Sequence, residues 1–315
     1  LALLLVLTLA AGLCACAPAE TADDGLQVAA TIFPVYDWAR AVLGGNPAGA
    51  ELTMLLSNGV DLHSYQPSAR DIWRLSTCDL FLYVGGESDE WVEDALAEAA
   101  NPDLVAVNLM DVLGDALREE ETVEGMQGTA EEKEETLEYD EHIWLSLKNA
   151  AVLTDAIAQA LAFVDPEHAD AYAAYAEAYI SELDALDHFF QDAAESGAQH
   201  TILFGDRFPF RYFTEDYGLD YYAAFAGCSA ETEASFETIV FLAGQVDRLD
   251  LPAVLTLEGS DGRIAQTIVA TTEKKDQAIL AMNSMQSVTA KDAAAGVTYL
   301  NLMRDNLDIL RRALG

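Results

Sequence analysis

The chain has 315 residues, of which 51% are hydrophobic, enough for about two domains that each bury a core. Its 54 Asp and Glu against 16 Lys and Arg give a formal net charge of −38, a surface that repels nucleic acid and anionic lipid headgroups and attracts cations. Composition alone leaves open whether the acidity serves a cation or only solubility.

Residues 1–16, LALLLVLTLAAGLCAC, form an apolar run ending in small residues and cysteine. The run is too short to stay in a bilayer as a spanning helix and fits the core of a secretory signal. With no Met and no basic leader before Leu1, it reads as lacking its own beginning. The residues before Cys16 look like a lipoprotein signal, whose cleavage leaves Cys16 as the lipidated first residue, and the polar stretch 17–25 suits a tether. The expected location is extracytoplasmic, anchored to the outer face of the cytoplasmic membrane. After such processing only Cys78 and Cys228 would remain, as a disulfide or as two separate thiols.

From Leu26 the chain alternates strands and helices. Residues 26–32 read as a strand leading through Phe33 and Pro34 into a helix; 51–56 is a second strand and 57–71 a polar loop. A short helix over 69–77 precedes a strand over 79–86, whose continuous apolar run is typical of a sheet covered on both faces. A helix over 87–100 and a strand from Asp103 complete a parallel α/β lobe. Between Arg118 and Glu141 there are eleven acidic residues and almost no large apolar side chain. That segment reads as a mobile, solvated loop, which either gathers cations for the site beside it or is a charged insertion without a role.

A helix over 147–164 leads into a longer one over 165–197. There Tyr172, Tyr175, Tyr179, Leu183, Leu186 and Phe190 recur at spacings of three and four, with acidic residues mostly between them. Asp165 is placed to cap the helix, Pro166 suits its first position and Gly197 its C-terminal cap. About 30 residues at about 1.5 Å each make a rod of roughly 45 Å, longer than one lobe can cover, so it reads as a strut between two. Beyond it the alternation restarts, with strands over 200–205, 219–225, 253–259 and 278–284, helices within 207–218, 234–250, 262–273 and 297–314, and a loop over 227–234. The expected fold class is α/β, two pseudo-symmetric lobes with parallel sheets joined by one long rigid helix. The N-terminal lobe spans 26–145 with the acidic loop 118–141 inside it, linking helices span 146–197, and the C-terminal lobe spans 198–315. Ligands of open parallel sheets lie at the carboxyl ends of the strands, which here is the crevice between the lobes.

Five histidines occur. His168 and His188 fall on the strut and His200 opens a strand, whereas His63 and His142 stand beside strand ends in polar loops of the first lobe. Imidazole is the commonest protein ligand for zinc and its neighbours, and carboxylates complete mixed sites. On spacing alone, these two histidines suit either a metal site or ordinary surface positions.

The segments NGVDLHSYQPSARDIWRL, DLFLYVGG, DEHIWLSLKNA and VDPEHADAYAAYAEAY, then FRYFTEDYGL, SAETEASFETI, the strand with Glu258 and GVTYLNLMRDNLDIL, resemble in order and spacing the substrate-binding lipoproteins of zinc and manganese ABC transporters. The resemblance covers essentially the whole mature chain. It implies a non-enzymatic, monomeric receptor without a nucleic-acid partner, holding one divalent ion between two lobes and delivering it to a membrane permease with its ATPase. It places the first-lobe ligands on His63 and His142, and it puts the acidic segment where many zinc-binding relatives carry a His-rich loop.

In the second lobe the sequence departs from the family pattern. An ungapped count puts Arg207 at the third-ligand position, and arginine cannot ligate a cation. A shift of one residue brings in Asp206 instead and leaves Arg207 to pair with a carboxylate. The fourth position falls near Asn283, a weaker neutral donor, with the carboxylate of Glu258 within reach. The implied metal ligands are therefore His63, His142, Asp206 and Glu258, with Asn283 an open alternative. Zinc is the expected cargo, and manganese or iron becomes the alternative if an aspartate hardens the site. A metallohydrolase would use the same histidines, but the sequence has no HExxH pair, no GxSxG elbow and no evident general base. A receptor for an organic ligand is the third reading, disfavoured by polar, aromatic-poor loops around the crevice. A strut without an internal Gly or Pro implies small lobe movements.

Overall fold

The computed structural model describes residues 25–127, 138–229 and 233–315; the signal segment, the Cys16 anchor and nearly all of the tether lie outside them. Two four-stranded, all-parallel sheets form the frame. The first contains β1 (Gln27–Ala30), β2 (Glu51–Met54), β3 (Leu80–Tyr83) and β4 (Val105–Asn108), in the order β2-β1-β3-β4. The second contains β5 (Thr201–Phe208), β6 (Asp220–Ala226), β7 (Ala253–Leu257) and β8 (Ala278–Met282), in the order β6-β5-β7-β8. Both sheets place their first strand inside and their second at one edge, so the two lobes repeat one topology. The continuous apolar run of β3 is buried at Leu80, Phe81 and Leu82, as a sheet covered on both faces requires.

Helices α1 (Phe33–Leu43), α2 (Ala69–Thr77), α3 (Trp91–Ala97) and α4 (Leu109–Leu113) belong to the first half of the chain. The second half contributes α7 (Arg211–Tyr217), α8 (Phe236–Leu249), α9 (Arg263–Thr271), α10 (Ala290–Ala294) and α11 (Tyr299–Leu314). Between the halves run α5 (Leu147–Val164) and α6 (Ala169–Ser196), packed along each other. By length and composition α5 could cross a membrane, yet Leu147, Ala150, Leu153, Ile157 and Leu161 are buried within the fold.

Helix α6 is the strut, 28 residues long and thus about 42 Å at ~1.5 Å per residue. It touches α1 of the first lobe and α11 of the second, burying Tyr172, Ala176, Leu183, Leu186 and Phe190, while Tyr175 stays exposed. One large core cluster includes these residues together with β1 and β3 on one side and β5 and β8 on the other. A smaller second-lobe cluster includes Leu242 and Val246 of α8 and Ile268 of α9.

The start of the strut differs from the sequence expectation. Residues Pro166–His168 make a separate 3₁₀ turn, and the Asp165 carboxylate accepts from the Tyr172 hydroxyl (2.5 Å) and the His168 ring (2.7 Å) rather than capping helix amides. Gly197 is the C-terminal cap, as the sequence suggests, its amide donating to Ala193 O (3.1 Å) at an ordinary φ of −63°. A Cβ there would come within 2.7 Å of Leu314 Cβ, so closeness to α11 explains this glycine.

The acidic segment also differs over its described residues. Arg118 and Asp140 pair along the backbone, as do Glu120 and Glu138, so residues 118–120 and 138–140 form a two-stranded stalk. From it the chain crosses to the second lobe. The Gln127 amide donates to Ala224 O of β6 (2.9 Å), its side chain accepts from Ser235 N and donates to Glu233 O, and Glu121 receives the Tyr221 hydroxyl and pairs with Arg211. Backbone pairing and two aromatic or basic partners supply what the segment's own composition lacks. Residues 118–127 are a strap, and 128–137 lie outside the described residues.

Candidate metal centre

The carboxyl ends of the two sheets face each other, and their loops interlock. Trp144 Nε1 donates to Ser284 O (2.9 Å), Tyr299 Oη to Trp144 O (2.7 Å) and Ala290 N to Ser57 O (2.8 Å). Here the chain places His63 and His142.

His63 lies in the short turn Leu62–Ser64 beyond β2, whose start is capped by Asp61 accepting the His63 amide (3.0 Å). Its Nδ1 faces Ser88 Oγ at 2.9 Å and Glu141 Oε2 at 3.3 Å. Glu141 is itself fixed by the Ser88 amide (2.8 Å). His142 is fully buried, with Nδ1 2.9 Å from Asp140 Oδ1, which also accepts the His142 amide at 2.8 Å. Each ring therefore has a carboxylate behind Nδ1, which fixes that nitrogen as the protonated one and turns the Nε2 lone pair forward. The two Nε2 atoms stand 3.1 Å apart. Two nitrogens about 2.05 Å from one tetrahedral ion are separated by about 3.3 Å, so the pair is spaced as ligands of a single cation.

Burial of the His63 ring opposes its charge, but Glu141 and Asp61 outweigh that and hold its pKa above the ordinary imidazole value. Glu141 moves the opposite way: burial would raise it, and the bonds from His63 and Ser88 bring it below the usual carboxylate range. The thiol of Cys228, beyond β6, joins the histidines. Among the described residues, one ligand atom each from His63, His142 and Cys228 lie within 4.8 Å of one another. Burial first, then Glu120, Asp140 and Glu141, push the Cys228 thiol up. Cys78 and Cys228 are both free, and Cys78 is buried in the first lobe.

Residues 28–313 match the family model of ZnuA, the zinc-uptake complex component A, periplasmic. The chain belongs to this family. The zinc-binding lipoprotein AdcA of Streptococcus pneumoniae serotype 4 is 28% identical over 316 residues, covering 99% of this chain and 60% of its own length. The chain thus spans about 60% of such relatives. The high-affinity zinc uptake system protein ZnuA of Bacillus subtilis is 24% identical over 310 residues, covering 94% of this chain and 90% of its own. The fold superposes on the Zn(II)-bound ZnuA-like domain of Streptococcus pneumoniae AdcA with a TM-score of 0.72 at 24% identity, over 92% of this chain and 99% of that one.

In the second lobe the residues expected as ligands are engaged elsewhere. Strand β5 breaks register against β6 between Phe204 and Arg207, and such a bulge re-aims the side chains beside it. Asp206 turns into its own sheet, where its carboxylate accepts Leu257 N (3.2 Å) and Arg207 N (2.9 Å). Arg207 reaches across the crevice to Asp61, Nη2 to Oδ2 at 2.8 Å, the carboxylate pairing that the one-residue shift implied. Glu258 spends both oxygens on the loop after β8, accepting Ser284 N (2.7 Å), Ser284 Oγ (2.9 Å) and Ser287 Oγ (3.2 Å). The Asn283 side chain accepts Met285 N at 2.8 Å. The structure thus brings His63 and His142 together and leaves Asp206, Glu258 and Asn283 holding backbone outside that group. In sequence Cys228 is one thiol in the loop over 227–234; the signal that sets it apart is its place just beyond the carboxyl end of β6, at the same edge as the histidines.

Proposed function

We propose that the protein is the extracytoplasmic substrate-binding component of an ABC transporter, capturing zinc through His63 and His142 and delivering it to a membrane permease driven by its ATPase. The observation that supports this is the opposed pair of Nε2 atoms, each backed by a carboxylate and spaced for one ion. The zinc-binding relatives and the family's periplasmic character support both cargo and compartment. Anchoring through Cys16 and a monomeric state are parts of the same reading, as is a receptor's role without turnover. Manganese was the alternative if Asp206 made the site harder; with that carboxylate committed to Leu257, two imidazoles dominate the donor set and favour zinc.

Calorimetry of the metal-stripped protein tests the reading. Wild type should bind zinc far more tightly than manganese, and a His63→Ala, His142→Ala double variant should lose that binding. Equal zinc affinity in the two proteins would sink the proposal.

A further inference from the structure

We propose that Cys228 is the second-lobe ligand of the captured metal, its thiolate sulfur completing a three-ligand set with His63 Nε2 and His142 Nε2. This inference rests on the receptor reading above.

The placement of the sulfur is built by the loop around it. Strand β6 ends at Ala226, and the Ser229 amide bonds back to Ala226 O (3.2 Å), closing a turn with Cys228 at its tip. Gly227 lets this turn approach the imidazole. A Cβ on Gly227 would come within 2.9 Å of both His142 Cε1 and Phe208 O, contacts that real Cβ atoms do not make. The strap fixes the same loop from outside, since Gln127 bonds Ala224 O, Glu233 O and Ser235 N on its two flanks. The thiol is thus positioned by backbone on both sides and has no disulfide partner among the described residues.

Chemistry favours sulfur over the carboxylates nearby, because Asp206 and Glu258 hold peptide amides of their own lobe. Thiolate with two imidazoles is a soft, tetrahedral donor set that selects zinc and disfavours manganese. Three protein ligands leave the fourth position open, as in sites that exchange what they bind. On binding, the S–H bond breaks, its proton passes to solvent and a sulfur–metal bond forms. No electron is transferred.

Cobalt(II) titration of the reduced full-length chain tests this. Wild type should show an intense near-ultraviolet sulfur-to-cobalt charge-transfer band, absent from Cys228→Ser, whose zinc affinity should fall by more than about 100-fold, the upper end of what losing an outer-shell partner costs. A second measurement needs no variant: bound zinc should protect Cys228 of the wild type from alkylation, read by peptide mass. Binding that requires His63 and His142 but shows no thiolate band and no protection overturns the sulfur ligand and leaves the receptor reading standing. No histidine-dependent binding of either ion overturns both.

Discussion

Tyr299→Phe isolates one contact between the lobes. Tyr299 is fully buried at the start of α11, its ring edge-on to Trp38 of α1 at 5.3 Å, and its hydroxyl donates to Trp144 O at 2.7 Å. The substitution keeps the ring and deletes one oxygen, leaving a carbonyl in a dry core without this donor. That costs about 1–3 kcal/mol. Domains of 150–250 residues shift by about 2–4 °C per kcal/mol, and at the lower end of that range Tm should fall by roughly 2–6 °C. Trp144 lies against His142, ring centroids 5.2 Å apart, so zinc affinity should weaken along with stability. Differential scanning calorimetry of the metal-stripped protein reads the first effect and a zinc competition titration the second. A midpoint within about 1 °C of wild type, with an unchanged circular dichroism spectrum, would show that this hydroxyl contributes nothing to holding the lobes together.

Two further outcomes follow from the charges around His63. Because its folded pKa is raised, protons compete with metal from a pH above the ordinary imidazole value of about 6.5, so zinc affinity should climb with pH through that region. Without metal the same shift contributes stability that is fully present below about pH 6.5 and lost as pH rises through the folded value. Glu141→Gln should lower the His63 pKa and move the affinity curve to lower pH; calorimetry from pH 5 to 8 checks this, and a curve that stays in place contradicts it. For Asp61, burial would raise the pKa, but Arg207 brings it below the usual carboxylate value. Its stabilisation is therefore present above about pH 3.9 and lost as pH falls below that. Arg207→Gln should cost up to about 1 kcal/mol at neutral pH for a pair that is partly exposed, and in urea titrations the difference from wild type should shrink as pH falls below about 3.9.

The lobes and the strut were legible because they rest on periodicity: strand and helix alternation, and the three-and-four spacing from Tyr172 to Phe190. His63 and His142 were legible by residue type and by their place beside strand ends. The second half of the site was not, because its geometry depends on a bulge in β5 that turns Asp206 toward Leu257, and no local pattern in the sequence announces such a break. Cys228 was hidden for a related reason: its role comes from Gly227 meeting His142, residues 85 positions apart in the chain. The contacts of the strap over 118–127 were not legible because its composition offers little to bury, whereas they come from partners on another lobe, Ala224 and Tyr221.

That strap has a bearing on solubility as well. Strand β6 is an outer strand of its sheet, and an outer strand with unpaired backbone groups is a template on which another chain can add. Gln127 occupies part of that edge, pairing with Phe225, and the flanking segment carries Glu120, Glu121 and Glu124, whose like charges repel an incoming copy. The strap over 118–127 thus covers part of the edge on which another copy of the second lobe could add a strand.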